Sequence, residues 1–548
     1  MNELYYGDCL DVLKDLNRKH PEGFIDLIYI DPPFNSKRNY NVLFEDINLD
    51  DTKAQKEAFA DTWSNVTYFD TLNEIQDLDL DLYGFLKALD NINIRKSAIS
   101  YLTTMSIRIW YMHKVLRDTG SFYLHCDPNM SHYLKILCDL IFEDKNFKNE
   151  IIWKRKFGIG QTNKKSDRFG QQTDTILFYS KTKKQILNSQ YVFDDEYQKY
   201  VDKYFKYIDE NGRKYWADNL ASPSFRKNLV YEYKGYKPPK KGWAISKEKM
   251  ELWDKIGKLV FPKKKDGLIK RKRYADELKG RIVQNLWNDV SGMGGFTKNR
   301  EDESLGYPTQ KPIALLERII QASSNEGDIV ADFFCGCGTT IAAANKLNRQ
   351  WIGVDISHLA VRLIIKRLLD PYPPDKQKEM MMNISITGFP RDPATAKEMA
   401  ENPDHGRLKF QDWIIEVMLN GVANPKKTAD GGWDGYITFD KGMKEKGLCV
   451  IEVKSGHCNV KNLREFVRVV TSQGADIGVF VCFAEQVTKP MRIEAKQAGI
   501  DSRFDVDKIQ IITVEDLLDR RGEIKFPGGG FQTTFKKSSK RVDVEEEE

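Results

Sequence analysis

The segment 328–356, DIVADFFCGCGTTIAAANKLNRQWIGVDI, constrains the fold of this chain more than any other stretch. It begins with an apolar strand, turns through glycines into a helical pattern and returns to a second apolar strand. Continuous apolar runs are typical of strands that are buried on both faces of a parallel sheet. A strand, a crossover helix and a parallel strand form the unit of doubly wound α/β domains. The sequence therefore predicts a domain of that class.

The N-terminal part of the chain shows the same alternation. Apolar strands are predicted at FIDLIYI (24–30) and SFYLHCD (121–127), and helices at SIRIWYMHKVLRD (106–118) and SHYLKILCDLIF (131–142). The pattern then fades and returns only near residue 306. We therefore predict one discontinuous α/β domain, made of residues 1–150 and 306–370, with an insert over residues 151–305.

The insert carries the positive charge of the chain. Residues 151–300 hold 35 Lys and Arg against 17 Asp and Glu, a net charge of +18, whereas the rest of the chain sums to −13. The cations are interleaved with aromatic residues, a mixture that is typical of surfaces that neutralise phosphates and stack bases. We therefore expect the insert to contact nucleic acid.

The remaining sequence predicts three further segments. A mixture of Pro, Met and charged residues indicates a linker over 371–405, helices alternating with strands indicate a small α/β domain over 406–525, and a tail poor in apolar residues over 526–548 is predicted to be disordered. No apolar run approaches the ~18 residues that span a bilayer, so we expect a cytoplasmic protein. The eight cysteines include no CxxC pair and are expected to be reduced thiols.

The glycine-containing turn of segment 328–356 is a candidate cofactor site. A glycine at a strand-to-helix turn lets the backbone approach a ligand, and the helix N-terminus favours a carboxylate. Ile341 replaces the third glycine of the dinucleotide pattern GxGxxG, which favours S-adenosylmethionine, a cofactor without a pyrophosphate, over NAD. Asp355 ends the next strand, where a carboxylate can bind a ribose diol. The candidate cofactor-binding residues here are Asp332, Phe334, Gly336, Gly338, Thr339 and Asp355.

The tetrad Asp31-Pro32-Pro33-Phe34 is the candidate catalytic loop. An exocyclic amine of adenine or cytosine is a poor nucleophile because its lone pair is delocalised into the ring. If the Asp31 carboxylate and the Pro32 carbonyl accept hydrogen bonds from the two N–H groups of this amine, its lone pair can point at a methyl donor. The two prolines fix the loop before the substrate arrives, and Phe34 can stack on an extruded base.

The order of these motifs resembles the β-class DNA amino-methyltransferases. Asp-Pro-Pro-Phe is followed by a basic insert, by Tyr-Pro-Thr-Gln-Lys-Pro and by Phe-x-Gly-x-Gly, and the segments GSFYLHCDPNMSHYLK and NEIIWKR are similar to modification subunits of type III restriction systems. The resemblance covers residues 1 to about 370. It implies a discontinuous Rossmann-like methyltransferase domain in which the insert recognises the target in double-stranded DNA. Phe333 and Cys337 depart from the usual proline and serine.

The resemblance also implies further site residues and partners. Thr309, Gln310 and Lys311 are expected near the methionine end of S-adenosylmethionine, and Asp8 near its adenosine. A homodimer is expected. Because the sequence has no GxxxxGK[ST] phosphate loop, an ATP-driven restriction or helicase subunit would have to be a separate chain.

A second group of candidate catalytic residues lies in the C-terminal domain. Asp434 lies in one predicted strand segment, and Glu452 and Lys454 share one face of the neighbouring strand. Asp434 and Glu452 can hold Mg²⁺ while the lysine orients the attacking water. The pattern resembles Mrr-like PD-(D/E)xK nucleases, in which a helical carboxylate also contributes, here Glu416 or Asp412. A nuclease-like fold that only binds DNA or a partner explains the same residues.

We therefore predict a methyltransferase that acts on adenine N6 in DNA, in restriction-modification or phage defence, with a possible Mg²⁺-dependent nuclease activity. Methylation of cytosine N4, or of RNA or protein glutamine, is an alternative within enzymes. A DNA-binding or nucleolytic defence protein whose methylase half senses modification is the alternative from another class.

Overall fold

The computed structural model describes residues 2–32, 68–92, 95–155, 169–293, 303, 305, 310–390, 392–403, 406–419, 421–424, 432–441, 446–501, 506–519 and 522–527. Pro33, Phe34, Thr309 and the predicted tail from residue 528 lie outside these residues. The chain divides into two compact units, one formed by Met1–Asn188 with Asn285–Glu548 and the other by Ser189–Gln284.

A large, mostly parallel sheet forms the centre of the first unit. Its strands are β1 (Asn2–Tyr6), β2 (Ile25–Ile30), β3 (Leu116–Cys126), β4 (Phe147–Lys154), β5 (Thr173–Ser180), β12 (Leu286–Trp287), β13 (Ile329–Asp332), β14 (Gln350–Asp355) and β15 (Ser385–Thr387). Over the described residues their order is β12-β4-β5-β3-β2-β13-β14-β1-β15, and only β5 runs antiparallel to its neighbours. The pairing of β2 with β13 joins the N-terminal half to the later half, which confirms the predicted discontinuous α/β domain.

Helices flank this sheet because their apolar faces need burial. They are α1 (Cys9–Lys19), α2 (Tyr68–Leu78), α3 (Leu80–Asn91), α4 (Lys96–Val115), α5 (Ser131–Phe142), α8 (Ile313–Ser323), α9 (Thr339–Lys346), α10 (His358–Leu369) and α11 (Pro374–Met382). All six residues of β2 are buried, and α4 is itself largely buried. The sequence predicted a helix over 106–118, whereas α4 ends at Val115 and β3 begins at Leu116, so that the last residues of that pattern extend the strand.

Strands outside the expected halves of the domain also contribute to the large sheet. Strands β5 and β12 and the second half of β4 lie within the range expected for the insert, and β15 lies in the range expected for a linker. Tyr6 of β1 stacks on Phe389, with 4.7 Å between the ring centroids. The segment after α11 is therefore packed against the sheet edge.

The second unit has its own sheets and core. Its elements are β6 (Tyr191–Val192), α6 (Asp195–Tyr204), β7 (Tyr207–Ile208), β8 (Lys214–Asn219), α7 (Lys247–Lys255), β9 (Leu259–Val260), β10 (Lys270–Tyr274) and β11 (Arg281–Ile282). A four-stranded sheet has the order β7-β8-β10-β9, and a separate pair joins β6 to β11. The buried core includes Trp243, Met250 and Ile269.

The C-terminal part of the first unit contains a second α/β arrangement. Its elements, with a π-helical turn at Trp413–Met418, are α12 (Pro393–Glu401), α13 (Gly406–Asp412), β16 (Val422–Ala423), β17 (Gly435–Asp440), β18 (Lys446–Val453), α14 (Val460–Ser472), β19 (Ile477–Cys482), α15 (Lys489–Gln497), β20 (Ile500–Asp501), β21 (Val506–Asp507), β22 (Ile509–Thr513) and α16 (Val514–Leu518). A five-stranded sheet has the order β16-β17-β18-β19-β22, with an apolar cluster on each face, and β20 pairs with β21 in a separate ribbon. This agrees with the predicted α/β domain. No helix in the described ranges is long and apolar enough to cross a membrane.

Candidate active site

Four acidic residues lie at the carboxyl ends of adjacent parallel strands. Asp31 follows β2, Asp332 ends β13, Asp355 ends β14 and Asp8 follows β1. These strands are neighbours in the order β2-β13-β14-β1. Ligands of open α/β sheets bind at this edge. The sheet therefore brings together four of the predicted site residues that are far apart in sequence.

Asp332 fixes the glycine loop that comes after it. One of its carboxylate oxygens accepts a hydrogen bond from the Phe334 N–H at 3.0 Å and the other from the Thr340 hydroxyl at 2.5 Å. The residue is almost fully buried, and this burial raises the pKa of its carboxyl to about 7. Through these two contacts Asp332 shapes the loop, and its expected contact with the cofactor stays a prediction.

The loop itself requires glycine. Gly336 and Gly338 have φ values of 50° and 74°, which are unfavourable for residues with a side chain. A Cβ on Gly338 would lie 2.5 Å from Cγ1 of Ile364 in α10. The first residue of α9, Thr339, accepts a hydrogen bond at 2.9 Å from Arg367, also in α10. Helix α10 therefore packs directly under the candidate cofactor loop.

Asp355 and Asp8 lie at the ends of the neighbouring strands β14 and β1, next to this loop. The Asp355 carboxylate accepts hydrogen bonds from the N–H groups of Gly336 and Ser357 at 2.8 and 2.9 Å, while burial raises its pKa to about 6. The Gly7 N–H donates to the Asp355 carbonyl at 3.0 Å, which places Asp8 beside it. Both carboxylates are held in position at neighbouring strand ends.

Sequence reasoning missed the residue that holds Asp8. The buried guanidinium of Arg108 donates to both oxygens of Asp8 at 2.8 Å and also contacts the Cys9 sulfur at 3.2 Å. The Asp8 side chain remains 42% exposed. An arginine within the apolar helix IRIWYM was a usable signal, since a buried guanidinium needs a partner.

The two oxygens of the Asp31 carboxylate have different environments. Its Oδ2 forms an ion pair with the ammonium of Lys311, and the two side chains are 16% and 13% exposed. Its Oδ1 is buried and has no hydrogen-bond partner among the described residues. The adjacent Pro32 is buried as well. Lys311, expected near the cofactor, thus contacts the candidate catalytic residue itself.

The Gln310 side chain forms hydrogen bonds that stabilise the segment before Lys311. Its side chain accepts a hydrogen bond from the Leu305 N–H at 2.9 Å and donates one to the Glu303 carbonyl at 2.7 Å. The Glu303 carboxylate in turn accepts from the Ile313 N–H at the start of α8, at 2.5 Å. Gln310 is buried in these contacts, which fix the residue directly before Lys311.

A buried polar chain that the sequence did not predict lies behind Asp31. The Tyr29 hydroxyl and the His125 Nδ1 are 3.1 Å apart, and the His125 Nε2 and an Asp174 oxygen are 3.2 Å apart. Arg155 pairs with the other Asp174 oxygen at 2.9 Å. Tyr29 and Asp31 share one face of the strand, and burial together with the negative charge of Asp31 raises the pKa of Tyr29.

The predicted nuclease-like residues lie around the end of β18. Asp434 accepts hydrogen bonds from the Val453 N–H at 2.7 Å and from the side chain of Gln411 at 3.1 Å. The Lys454 ammonium pairs with Glu452 at 2.5 Å. The neighbouring Gln411 supplies a helical side chain that contacts Asp434. The role of Glu416 or Asp412 as the helical contributor stays a prediction.

Glu416 lies in the π-helical turn and is buried. Its backbone carbonyl accepts a hydrogen bond from Arg362 of α10 at 3.0 Å. Within the described parts of the chain, no group of three or more His, Cys, Asp and Glu side chains is arranged to hold a metal ion.

Two family models match the chain. A DNA methylase model matches residues 25–366, and a restriction endonuclease model matches residues 409–520. These ranges agree with the domain that holds Asp31 and the glycine loop and with the domain that holds Asp434.

Three curated relatives are similar to this chain. Type II methyltransferase M.EcaI of Enterobacter cloacae is 33% identical over 49% of this chain and 57% of its own length. The type III restriction-modification enzyme StyLTI Mod subunit of Salmonella typhimurium is 28% identical over 63% of this chain and 50% of its own. The DNA adenine methyltransferase YhdJ of Escherichia coli is 25% identical over 67% of this chain and 82% of its own. The chain thus spans about half the length of the first two.

Proposed function

The chain belongs to the DNA methylase family, and from this we propose that it transfers a methyl group from S-adenosylmethionine to N6 of an adenine extruded from duplex DNA. Support for adenine comes from the relative YhdJ, which is named a DNA adenine methyltransferase. The observation that carries the proposal is the buried Oδ1 of Asp31, which has no hydrogen-bond partner in the described structure. A buried acceptor of this kind is costly unless a donor is supplied, and the substrate amine is such a donor.

The residues at the sheet edge fit S-adenosylmethionine. Gly336 and Gly338 leave the loop without side chains where the backbone would approach it, and the N-terminus of α9 favours its carboxylate. Asp355 and Asp8 present acceptors for the hydroxyl and amino groups of adenosine. When bound, the cofactor supplies an electrophilic methyl group on a sulfonium centre.

The chain's own contribution to the reaction is to orient the amine. Asp31 Oδ1 and the Pro32 carbonyl accept hydrogen bonds from the two N–H groups of the amine, so that the nitrogen lone pair turns away from the ring. Lys311 balances the charge of Asp31 at Oδ2 and holds the carboxylate in place, which leaves Oδ1 directed at the substrate. Such preorganised acceptors are effective because the protein does not have to rearrange during the reaction.

The decisive experiment uses labelled S-adenosylmethionine, mixed-sequence duplex DNA and digestion to nucleosides. Wild-type protein is expected to label N6-methyladenine, and Asp31→Asn to lower the rate at least about 100-fold while the cofactor still binds. Asp328→Asn is the matched control, because Asp328 precedes β13 at the opposite edge of the sheet. Label in N4-methylcytosine would show that cytosine, and not adenine, is the target. Undiminished methylation by Asp31→Asn would refute the role of Asp31.

We propose that the compact unit 189–284 contributes to target recognition. It holds 24 Lys and Arg against 14 Asp and Glu, a net charge of +10 that favours a polyanion. We further propose a separate restriction subunit as a partner, because the relative StyLTI is named a Mod subunit of a restriction-modification enzyme. A second copy of this chain is proposed as another partner. Sedimentation of the protein with and without DNA tests the second copy.

The C-terminal domain supports a second candidate function, Mg²⁺-dependent DNA cleavage. The proposal is supported by the hydrogen bond that Asp434 accepts from the N–H of Val453, the residue between Glu452 and Lys454, and by the ion pair of these two neighbours. Mg²⁺ is often held by one or two carboxylates and several waters, so Asp434 and Glu452 would suffice to hold it. Cleavage that requires Mg²⁺, survives Asp31→Asn and is lost in Asp434→Asn is the expected result. Equal cleavage by wild type and Asp434→Asn would exclude this site.

A further inference from the structure

The buried polar chain beside Asp31 has no part in the reaction proposed above. Strand β3 separates β2, which Asp31 follows, from β5, which carries Asp174. His125 of β3 connects the two strands, because its Nδ1 lies 3.1 Å from the Tyr29 hydroxyl of β2 and its Nε2 lies 3.2 Å from a carboxylate oxygen of Asp174. Both His125 and Asp174 are buried. The chain therefore joins the strand before Asp31 to a second carboxylate.

The strand register brings this chain to the level of Asp31. In the parallel pairing of β2 with β3, the last pair consists of the residues directly before Asp31 and His125. In the antiparallel pairing of β3 with β5, the last pair lies one residue from Asp174. Asp31, His125 and Asp174 therefore lie at one edge of the sheet, on three adjacent strands.

Asp174 is an anion that lies within the electric field of Lys311. Burial raises the pKa of Asp174, but the hydrogen bond with His125 and the nearby positive charges together outweigh this effect, so that the pKa is lowered. Lys311 supplies one of these charges, and Arg155, which pairs with Asp174 at 2.9 Å, supplies another. The Lys311 ammonium is therefore attracted by Asp174 as well as by its direct partner Asp31.

We propose that Asp174 and His125 are positioning residues for methyl transfer, which hold the Lys311 ammonium on one oxygen of Asp31; this inference rests on the proposed function. An ammonium has three N–H donors and can contact both oxygens of one carboxylate. Attraction by a second anion keeps Lys311 at Oδ2, so that Oδ1 of Asp31 stays available to the substrate amine. His125 fixes Asp174 for this purpose through its contact with the carboxylate.

A double-mutant cycle between Asp174 and Lys311 tests the proposal on methylation of duplex DNA. Asp174→Asn removes the charge but keeps the shape, and it is expected to lower kcat about 10-fold while KM for cofactor and DNA stays unchanged. Because Asp174 acts through Lys311, Asp174→Asn should cause little further loss in a Lys311→Met background. Losses that multiply in the double variant would overturn the proposal.

Asp26→Asn is the matched control. Asp26 is also a buried carboxylate with an arginine partner, Arg117 at 2.8 Å, but it lies at the other end of β2, about 17 Å from Asp31 along the strand. Any loss that it causes should multiply with that of Lys311→Met, because distant sites act independently. Asp174→Glu keeps the charge and should recover part of the rate that Asp174→Asn loses.

The free energy of unfolding gives a second readout that does not depend on methylation. In urea unfolding of the full chain, the effects of Asp174→Asn and Lys311→Met should be non-additive, whereas those of Asp26→Asn and Lys311→Met should add. His125→Gln takes the place of Asp174→Asn in both cycles if that variant does not fold. Additive effects of the Asp174 and Lys311 variants would overturn the proposal even in a chain that methylates DNA. Wild-type protein that labels no DNA would refute the proposed function, and the unfolding cycle would still decide whether Asp174 acts on Lys311.

Discussion

Replacing Gly338 by alanine is expected to destabilise the methylase domain by about 2–5 kcal/mol. The residue has a φ of 74°, and a side chain in this left-handed region costs about 1–2 kcal/mol. The new Cβ would also lie 2.5 Å from Ile364 Cγ1, and both partners are fixed in a packed layer. Overpacking of this kind costs about 1–3 kcal/mol more.

Gly327→Ala separates these two contributions. Gly327 also has a positive φ, of 83°, but a Cβ there would have no atom within 4 Å. Both substitutions restrict the unfolded chain equally, so that effect cancels between them. Gly338→Ala should therefore be less stable than Gly327→Ala by about 1–3 kcal/mol, which corresponds to roughly 2–4 °C of melting temperature for each kcal/mol.

A double-mutant cycle with Ile364→Ala tests the contact directly, because alanine lacks the Cγ1 atom that the new Cβ would meet. Calorimetry should show Gly338→Ala to be better tolerated in the Ile364→Ala background, with a coupling energy of about 1–3 kcal/mol. Cofactor affinity, measured in parallel, should fall in Gly338→Ala and stay unchanged in Gly327→Ala. Zero coupling, or equal stability of the two alanine variants, would refute the steric reasoning.

Three other predictions concern buried polar groups. The Asp332 carboxyl has a pKa of about 7 in the folded chain and an ordinary value of 3.8 in the unfolded chain, so it favours folding below pH 4 and loses this contribution as the pH rises through 7. Asp332→Asn should therefore reduce the change of the free energy of unfolding over that pH range, by up to about 4 kcal/mol. An unchanged pH profile would contradict the assignment. Tyr29→Phe removes the hydrogen-bond partner at His125 Nδ1 and should cost about 1–3 kcal/mol in urea unfolding, whereas a neutral effect would show that the contact is dispensable. Arg362→Met removes the donor to the Glu416 carbonyl and should increase proteolysis of the C-terminal domain, with digestion at the wild-type rate as the opposing result.

The fold could be predicted from local patterns because strands and helices depend on periodicity over a few residues. The apolar run 24–30 and the segment 328–356 form the predicted strands, and the parallel pairing expected of a βαβ unit is observed. Strand β15 was missed because three residues, SIT, carry no periodic signal, and their position is decided by pairing with β1. Edge strands of this length are identified by their partner rather than by their own sequence.

The site could be predicted where a residue type is unusual for its position in the sequence. A carboxylate after an apolar strand marks Asp31, and the glycine pattern marks Gly338. In contrast, the pairing of Arg108 with Asp8 joins residues that are 100 positions apart, and no feature of either segment names the other. The same holds for Gln411, whose neutral amide gave no reason to prefer it over nearby carboxylates as a contact of Asp434.

Helix α10 connects the two functional halves of the first unit. It begins after Ser357, which binds Asp355, packs Ile364 against Gly338 and directs Arg362 to the π-helical turn of the C-terminal domain. A helix of 12 residues is about 18 Å long, so one rigid element carries contacts at both sites. Farther along the chain, β15 is added to the sheet edge.

This arrangement predicts that the methylase half depends on residues beyond position 370. A chain that ends there would lose β15 and the partner of Arg362, and would expose the edge of β1. It is expected to unfold at a lower temperature than the full chain and to be prone to association through the uncovered strand edge. A chain that ends at residue 390 keeps β15 and Phe389 against Tyr6, so it should recover part of the difference. Equal melting temperatures of the two shortened chains would show that β15 adds nothing, because α10 would then hold the cofactor loop without it.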